Sequence, residues 1–129
     1  MRIAIIGSRY TEDKEKMFDV VAKAVDTGQQ LGHSVSLLSG GSEGVDSFVH
    51  EWARENKIDS YMFKPHFLLD PKAQYSARDF FTRYRQVVDN ADTVIIVLLA
   101  GRQEPDLAFA EEYATSRNKK PLVVTHTKE

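Results

Sequence analysis

The chain has 129 residues, 42% hydrophobic and 28% charged, with 17 Lys and Arg against 19 Asp and Glu for a net charge of −2. That balance is ordinary for a globular domain able to bury a core, and it offers no global attraction for nucleic acid or an anionic membrane surface. The absence of cysteine excludes disulfides and thiolate metal sites.

The opening stretch RIAII is a short apolar run that ends in Gly7-Ser8, as a buried strand does. It is too short for the apolar region of a signal peptide, and no run approaches the ~18 residues of a membrane span, so a cytoplasmic protein without a membrane is expected. Met17, Val20, Val21, Ala24 and Val25 then recur at helical spacing, with Thr11 a fitting N-cap and Glu12 and Asp13 suited to the first turn. HSVSLLS reads as a second strand, and Val45, Phe48, Val49, Trp52 and Ala53 restore the helical period. DSYMF predicts a third strand, closed by Pro65. Ala77, Phe80, Phe81, Tyr84 and Val88 mark a third helix, DTVIIVLLA a central strand, residues from about Asp106 to Asn118 a fourth helix, and PLVVTH a last strand. No repeat, low-complexity tract or linker divides the chain, so residues 1–129 are expected to form one domain.

This alternation predicts an α/β fold: a single Rossmann-like domain of about five mostly parallel strands with helices on both faces. Such sheets bind ligands in the crevice outside the carboxyl ends of their strands. The predicted rim carries Gly7 to Tyr10, Ser39 to Asp46, Lys64 to Phe67, Ala100 to Asp106 and His126.

The turn Gly40-Gly41-Ser42-Glu43-Gly44 carries most of the chemistry. Between a strand and a helix it offers free backbone N–H groups, the positive end of a helix dipole and a serine hydroxyl, all suited to phosphate. It is neither a Walker loop nor G-x-G-x-x-G. It does satisfy G-x-S-x-G, and Asp106 and His126 follow in the order a serine hydrolase on Ser42 requires, although the chain has fewer strands than that fold and no His-Gly-Gly oxyanion loop. The bland alternative is a tight strand-to-helix corner. Gly7-Ser8-Arg9 supplies a second glycine turn on the same rim, with a guanidinium that favours the phosphate reading.

IIGSRY, LLSGGSEGVDSFVHEWARE, and RYRQVVDNADTVIIVLLAG followed by KKPLVV resemble the SLOG superfamily, whose relatives include the Lonely Guy proteins, DNA-processing protein A and the YspA-like proteins. The likeness runs from about Arg2 to Val124, and its most specific piece is Ser39-Gly40-Gly41-x-x-Gly44-Val45-Asp46. It implies a Rossmann-like fold binding a nucleotide or ADP-ribose-like ligand, lined by Gly7, Ser8, Arg9, Gly40, Gly41, Ser42, Gly44 and Asp46, and Glu43 within the same turn is a further ligand candidate. Arg83 matches the arginine of the superfamily's Arg-Asn pair, with Tyr84 at the asparagine position. After VIIVLLAG this chain reads Arg102-Gln103-Glu104-Pro105-Asp106 in place of the usual Gly-Thr turn, and the Lonely Guy signature is absent. DLAFAEEYATSRNKKPLVV is similar to a motif region of nucleoside 2-deoxyribosyltransferases, where a glutamate attacks the sugar. Here Ala110 takes its position, with Glu111 and Glu112 one and two residues away.

The expected function is therefore binding of a nucleotide-type small molecule. The alternatives are an enzyme acting on an N-glycosidic bond through Glu43, Asp46, Glu111 or Glu112, and the Ser42 hydrolase. Lys64 and His66 fall on the rim as further ligand candidates, with Arg83 beside them. His33, His50, His66 and His126 show no metal spacing, so no metal is expected, nor any cofactor. Basic and aromatic residues interleave in YSARDFFTRYRQ, but Phe80, Phe81 and Tyr84 lie at core spacing, so a nucleic-acid partner is not expected. Apolar area on that helix argues for a homo-oligomer.

Overall fold

The computed structural model describes residues 1–41, 43–63 and 77–127, with the side chains of all of these except 77–80. Its elements are β1 (Arg2–Gly7), α1 (Lys14–Gln30), β2 (Ser36–Ser39), α2 (Val45–Glu55), β3 (Ser60–Met62), α3 (Ala77–Asn90), β4 (Thr93–Leu99), α4 (Pro105–Ser116) and β5 (Leu122–His126). The strands form one sheet in the order β3-β2-β1-β4-β5. Every pairing is parallel, so the sheet is wholly rather than mostly parallel.

Strand alternation divides the core between two faces. Ile3, Ile5, Ile95 and Val97 meet Met17, Val21 and Val25 of α1 and Val45 and Val49 of α2. Ala4, Ile6, Val94 and Ile96 meet Tyr84, Val87 and Val88 of α3 and Leu107 and Ala110 of α4. Such two-sided burial explains why β1 and β4 read as nearly unbroken apolar runs. Trp52 packs at the edge of the first cluster, as its helical spacing predicted.

Three expectations change. Thr11 is not the N-cap of α1: its N–H closes a turn on the Ser8 carbonyl, and the helix starts three residues later, where the Asp13 carboxylate accepts the Lys16 N–H. The fourth helix begins at Pro105, a residue whose fixed φ suits a first helical position, and ends at Ser116. Over its described side chains, the apolar stripe of α3 turns inward rather than outward. Tyr84, Val87 and Val88 are buried, and the Phe81 ring packs on Phe109 of α4 at 4.9 Å between centroids. Arg85 lies over that same Phe109 ring. Exposed large apolar residues among the described ones include Leu31, Tyr61 and, on the edge strand β5, Leu122 and Val123.

Candidate functional site

β1 and β4 are neighbours whose crossover helices leave on opposite faces of the sheet, α1 to one side and α4 to the other. This arrangement opens a crevice outside their carboxyl ends, where open α/β sheets take ligands. The turn after β1 enters it first. The Ser8 N–H donates to the Val97 carbonyl at 3.1 Å, and Ser8 Oγ accepts the Tyr10 N–H at 3.2 Å. Ser8 is fully buried, so its hydroxyl shapes the turn. Gly7 is required by the same crossing, because a β-carbon there would overlap the Val97 carbonyl oxygen and the Val45 side chain.

The turn after β2 locks onto the first. Gly44 has φ 68° and ψ −124°, a backbone conformation accessible in practice only to glycine. A β-carbon on it would strike the Ser8 carbonyl oxygen and the Arg9 backbone. The next residue completes the joint, the Val45 N–H donating to the Ser8 carbonyl at 3.2 Å. Gly40 is equally tight: its missing side chain leaves room for the Tyr84 ring and the Asp46 carboxylate, Oδ2 being 3.1 Å from the place of a β-carbon. Asp46, in the first turn of α2, is completely buried, where the helix dipole favours its charge. Tyr84, which stands at the superfamily's asparagine position, is thus the wall behind Gly40. Gly41 has φ 78°, and Glu43 is exposed.

The atypical loop after β4 clasps the first turn at both of its ends. The Arg102 guanidinium stacks on the Tyr10 ring, 3.5 Å from its centroid. Asp106 faces Arg9, with 3.7 Å between Nη2 and Oδ2 and partly exposed side chains. A pair of this length and exposure contributes at most about 1 kcal/mol, so a phosphate with two oxygens for one guanidinium competes with it readily. Neither contact was visible in the sequence, because each joins segments distant in the chain. The charge complementarity of Arg9 and Asp106 was the only available signal.

The remaining candidates do not all converge here. Ser42, Lys64 and His66 lie outside the described residues. Arg83 donates from Nη1 to Gln86 Oε1 within its own helix at 3.0 Å. Glu111 shares a cleft with Thr115, Asn118, Lys120 and Pro121, at the amino end of β5 and away from the crevice, and Glu112 is its exposed neighbour on α4. The histidine–aspartate contact of a hydrolase is not formed either. Asp106 pairs with Arg9, and His126 Nδ1 has no hydrogen-bond partner among the described residues. His50 joins α2 to β3 through Ser60 Oγ at 2.8 Å. No group of three or more metal-ligating side chains occurs among the described residues, and no helix among them is long and apolar enough to cross a membrane.

Among known proteins, no curated sequence matches the chain. The X-ray structure of TM1055, a Northeast Structural Genomics Consortium target, superposes with a TM-score of 0.64 at 18% identity, over 93% of this chain and 71% of that one. The X-ray structure of DNA processing protein A (DprA) from Streptococcus pneumoniae gives 0.57 at 16% identity, over 95% of this chain and 58% of that one. At such identities the likeness is one of fold. The family model described as YspA, cpYpsA-related SLOG matches residues 1–69, a span holding both glycine turns and the elements they join. The chain belongs to the YspA, cpYpsA-related SLOG family.

Proposed function

We propose that the protein binds a nucleotide or a nucleotide-derived, ADP-ribose-like ligand, with a phosphate in the crevice beside Arg9 and the turns after β1 and β2. The observation that carries this reading is the interlock of those turns: Gly44 presses on the Ser8 and Arg9 backbone, and the Val45 N–H is tied to the Ser8 carbonyl. Two turns held rigidly against each other present their outward N–H groups in fixed positions, which lowers the cost of ordering a bound anion. Ser42, Lys64 and His66 belong to the same proposal as residues of the rim, together with Gly40, Gly41 and Arg83. A single domain over residues 1–129, assembly as a homo-oligomer and a cytoplasmic setting complete it.

A second reading, cleavage or transfer at an N-glycosidic bond, is favoured by one feature. Glu43 is exposed on the glycine turn, whereas Asp46 is sealed in the core and Glu111 and Glu112 lie toward the far end of the sheet. The test is thermal unfolding against AMP, ADP-ribose, NAD, cyclic nucleotides and deoxynucleotides, with chromatography of the same mixtures. A ligand at about 100 times its dissociation constant adds near 2.7 kcal/mol, a readable shift for a domain of this size. Stabilisation without breakdown is expected. Released free base would favour the Glu43 enzyme, and no shift across the panel would contradict both readings.

A further inference from the structure

The chain turns back sharply at the end of β4. Gly101 takes φ 83° with open space where a β-carbon would stand, and the Arg102 N–H donates to the Leu99 carbonyl at 3.2 Å. That turn carries the Arg102 guanidinium over the Tyr10 ring, 3.5 Å from its centroid. Elsewhere among the described residues, Lys14 over Phe18, Arg85 over Phe109 and Arg117 over Tyr113 stand 5.1, 5.2 and 5.0 Å away. At 3.5 Å only a guanidinium lying flat on the ring fits, because an upright one would drive a nitrogen into the ring carbons.

The charge of Arg102 is also left unspent. Lys14 pairs with Glu51 at 2.6 Å, and Arg117 lies 3.6 Å from Asp89 while donating to the Tyr113 hydroxyl at 3.0 Å. The Arg102 side chain makes no ion pair or hydrogen bond among the described residues. Arg102 is exposed and Tyr10 is 46% exposed, so the outer face of the guanidinium is open. An open guanidinium plane, held flat by an aromatic ring, suits a flat π-system, and nucleobases stack on arginine planes in this way. Its place fits as well. Tyr10 follows Arg9 directly, their α-carbons ~3.8 Å apart, and the partners of both, Arg102 and Asp106, come from one loop. A nucleotide carries its base one sugar away from its phosphate.

We infer that Tyr10 and Arg102 form a base platform, on which the nucleobase of a ligand whose phosphate lies at Arg9 stacks against the outer face of the guanidinium. This rests on the nucleotide reading above and deepens it. Such a platform recognises bases as a class, since every base has a π-face.

The test is calorimetric titration of the full chain with AMP and with ribose 5-phosphate, which lacks only the base. Wild type, Arg102→Lys, Tyr10→Ala and Tyr10→Phe are compared by the ratio of the two affinities. Loss of charge near the phosphate weakens both compounds alike and cancels in that ratio. Wild type is expected to bind AMP about 10-fold tighter than ribose 5-phosphate. Arg102→Lys keeps the charge but not the plane, and should lower the ratio at least about 5-fold, as should Tyr10→Ala. Tyr10→Phe keeps the ring and should retain the ratio. Binding with no preference for AMP, or a preference that Arg102→Lys leaves intact or raises, overturns the platform while the phosphate reading stands. If neither compound binds, adenosine is titrated against the Tyr10 ring and Arg102 Nε–H resonances. Shifts there uphold the platform and count against the phosphate reading, and their absence overturns both.

Discussion

Gly44 shows how one residue ties the sequence to the site. Its φ of 68° lies where side chains are strained, and a β-carbon on it would overlap the Ser8 and Arg9 backbone, so the turn after β2 exists in this form only with glycine. Gly44→Ala is expected to cost about 3 kcal/mol or more, strain and overlap together, read as a lower urea midpoint, and to abolish any stabilisation by nucleotide. Gly32 gives the contrast. It too has positive φ, 87°, but a β-carbon there would meet nothing within 4 Å. Gly32→Ala should therefore cost only about 1 kcal/mol by the same measurement and leave binding unchanged. Glycine-rich spacing made this turn legible as a special place, but its interlock with Ser8 was not, because local sequence does not state which distant backbone a glycine must meet.

At the scale of elements, periodicity did most of the reading. β1 and β4 announced themselves by apolar runs, and α1, α2 and α3 by spacing, because each buries a continuous face. The ends were harder. HSVSLLS and DSYMF pair only over Ser36–Ser39 and Ser60–Met62, since β3 is an edge strand whose pairing partner lies on one side only. Thr11 has good capping chemistry, but the turn on Ser8 holds it in the core, and Asp13 inherits the cap. Asp13→Ala should then lower stability by about 1 kcal/mol, or roughly 4 °C in Tm by calorimetry, whereas capping by Thr11 would leave this substitution near neutral. The loop from Arg102 to Asp106 lacked any familiar pattern because its residues act through tertiary contacts with Tyr10 and Arg9.

For the whole molecule, the strand order places the divergence of α1 and α4 directly above β1 and β4, and the glycine turns fall at that point. The two core clusters share one sheet, so residues 1–129 are expected to unfold in a single transition with coincident fluorescence and circular dichroism midpoints. If the proposed homo-oligomer forms, the unpaired β5 edge with Leu122 at 59% exposure is the apolar surface it would cover. Sedimentation equilibrium should then give more than one chain per particle, and Leu122→Lys should return it to one. In the proposed binding mode Arg9 holds a ligand phosphate in exchange for Asp106, and the decisive measurement is calorimetric titration of AMP into wild type, Arg9→Ala and Asp106→Asn. Arg9→Ala should bind at least about 10-fold more weakly, through the loss of a charge-assisted hydrogen bond, and Asp106→Asn, which removes the competing carboxylate, should bind equally or more tightly. Binding by Arg9→Ala as tight as wild type, or no binding by wild type, would contradict that binding mode.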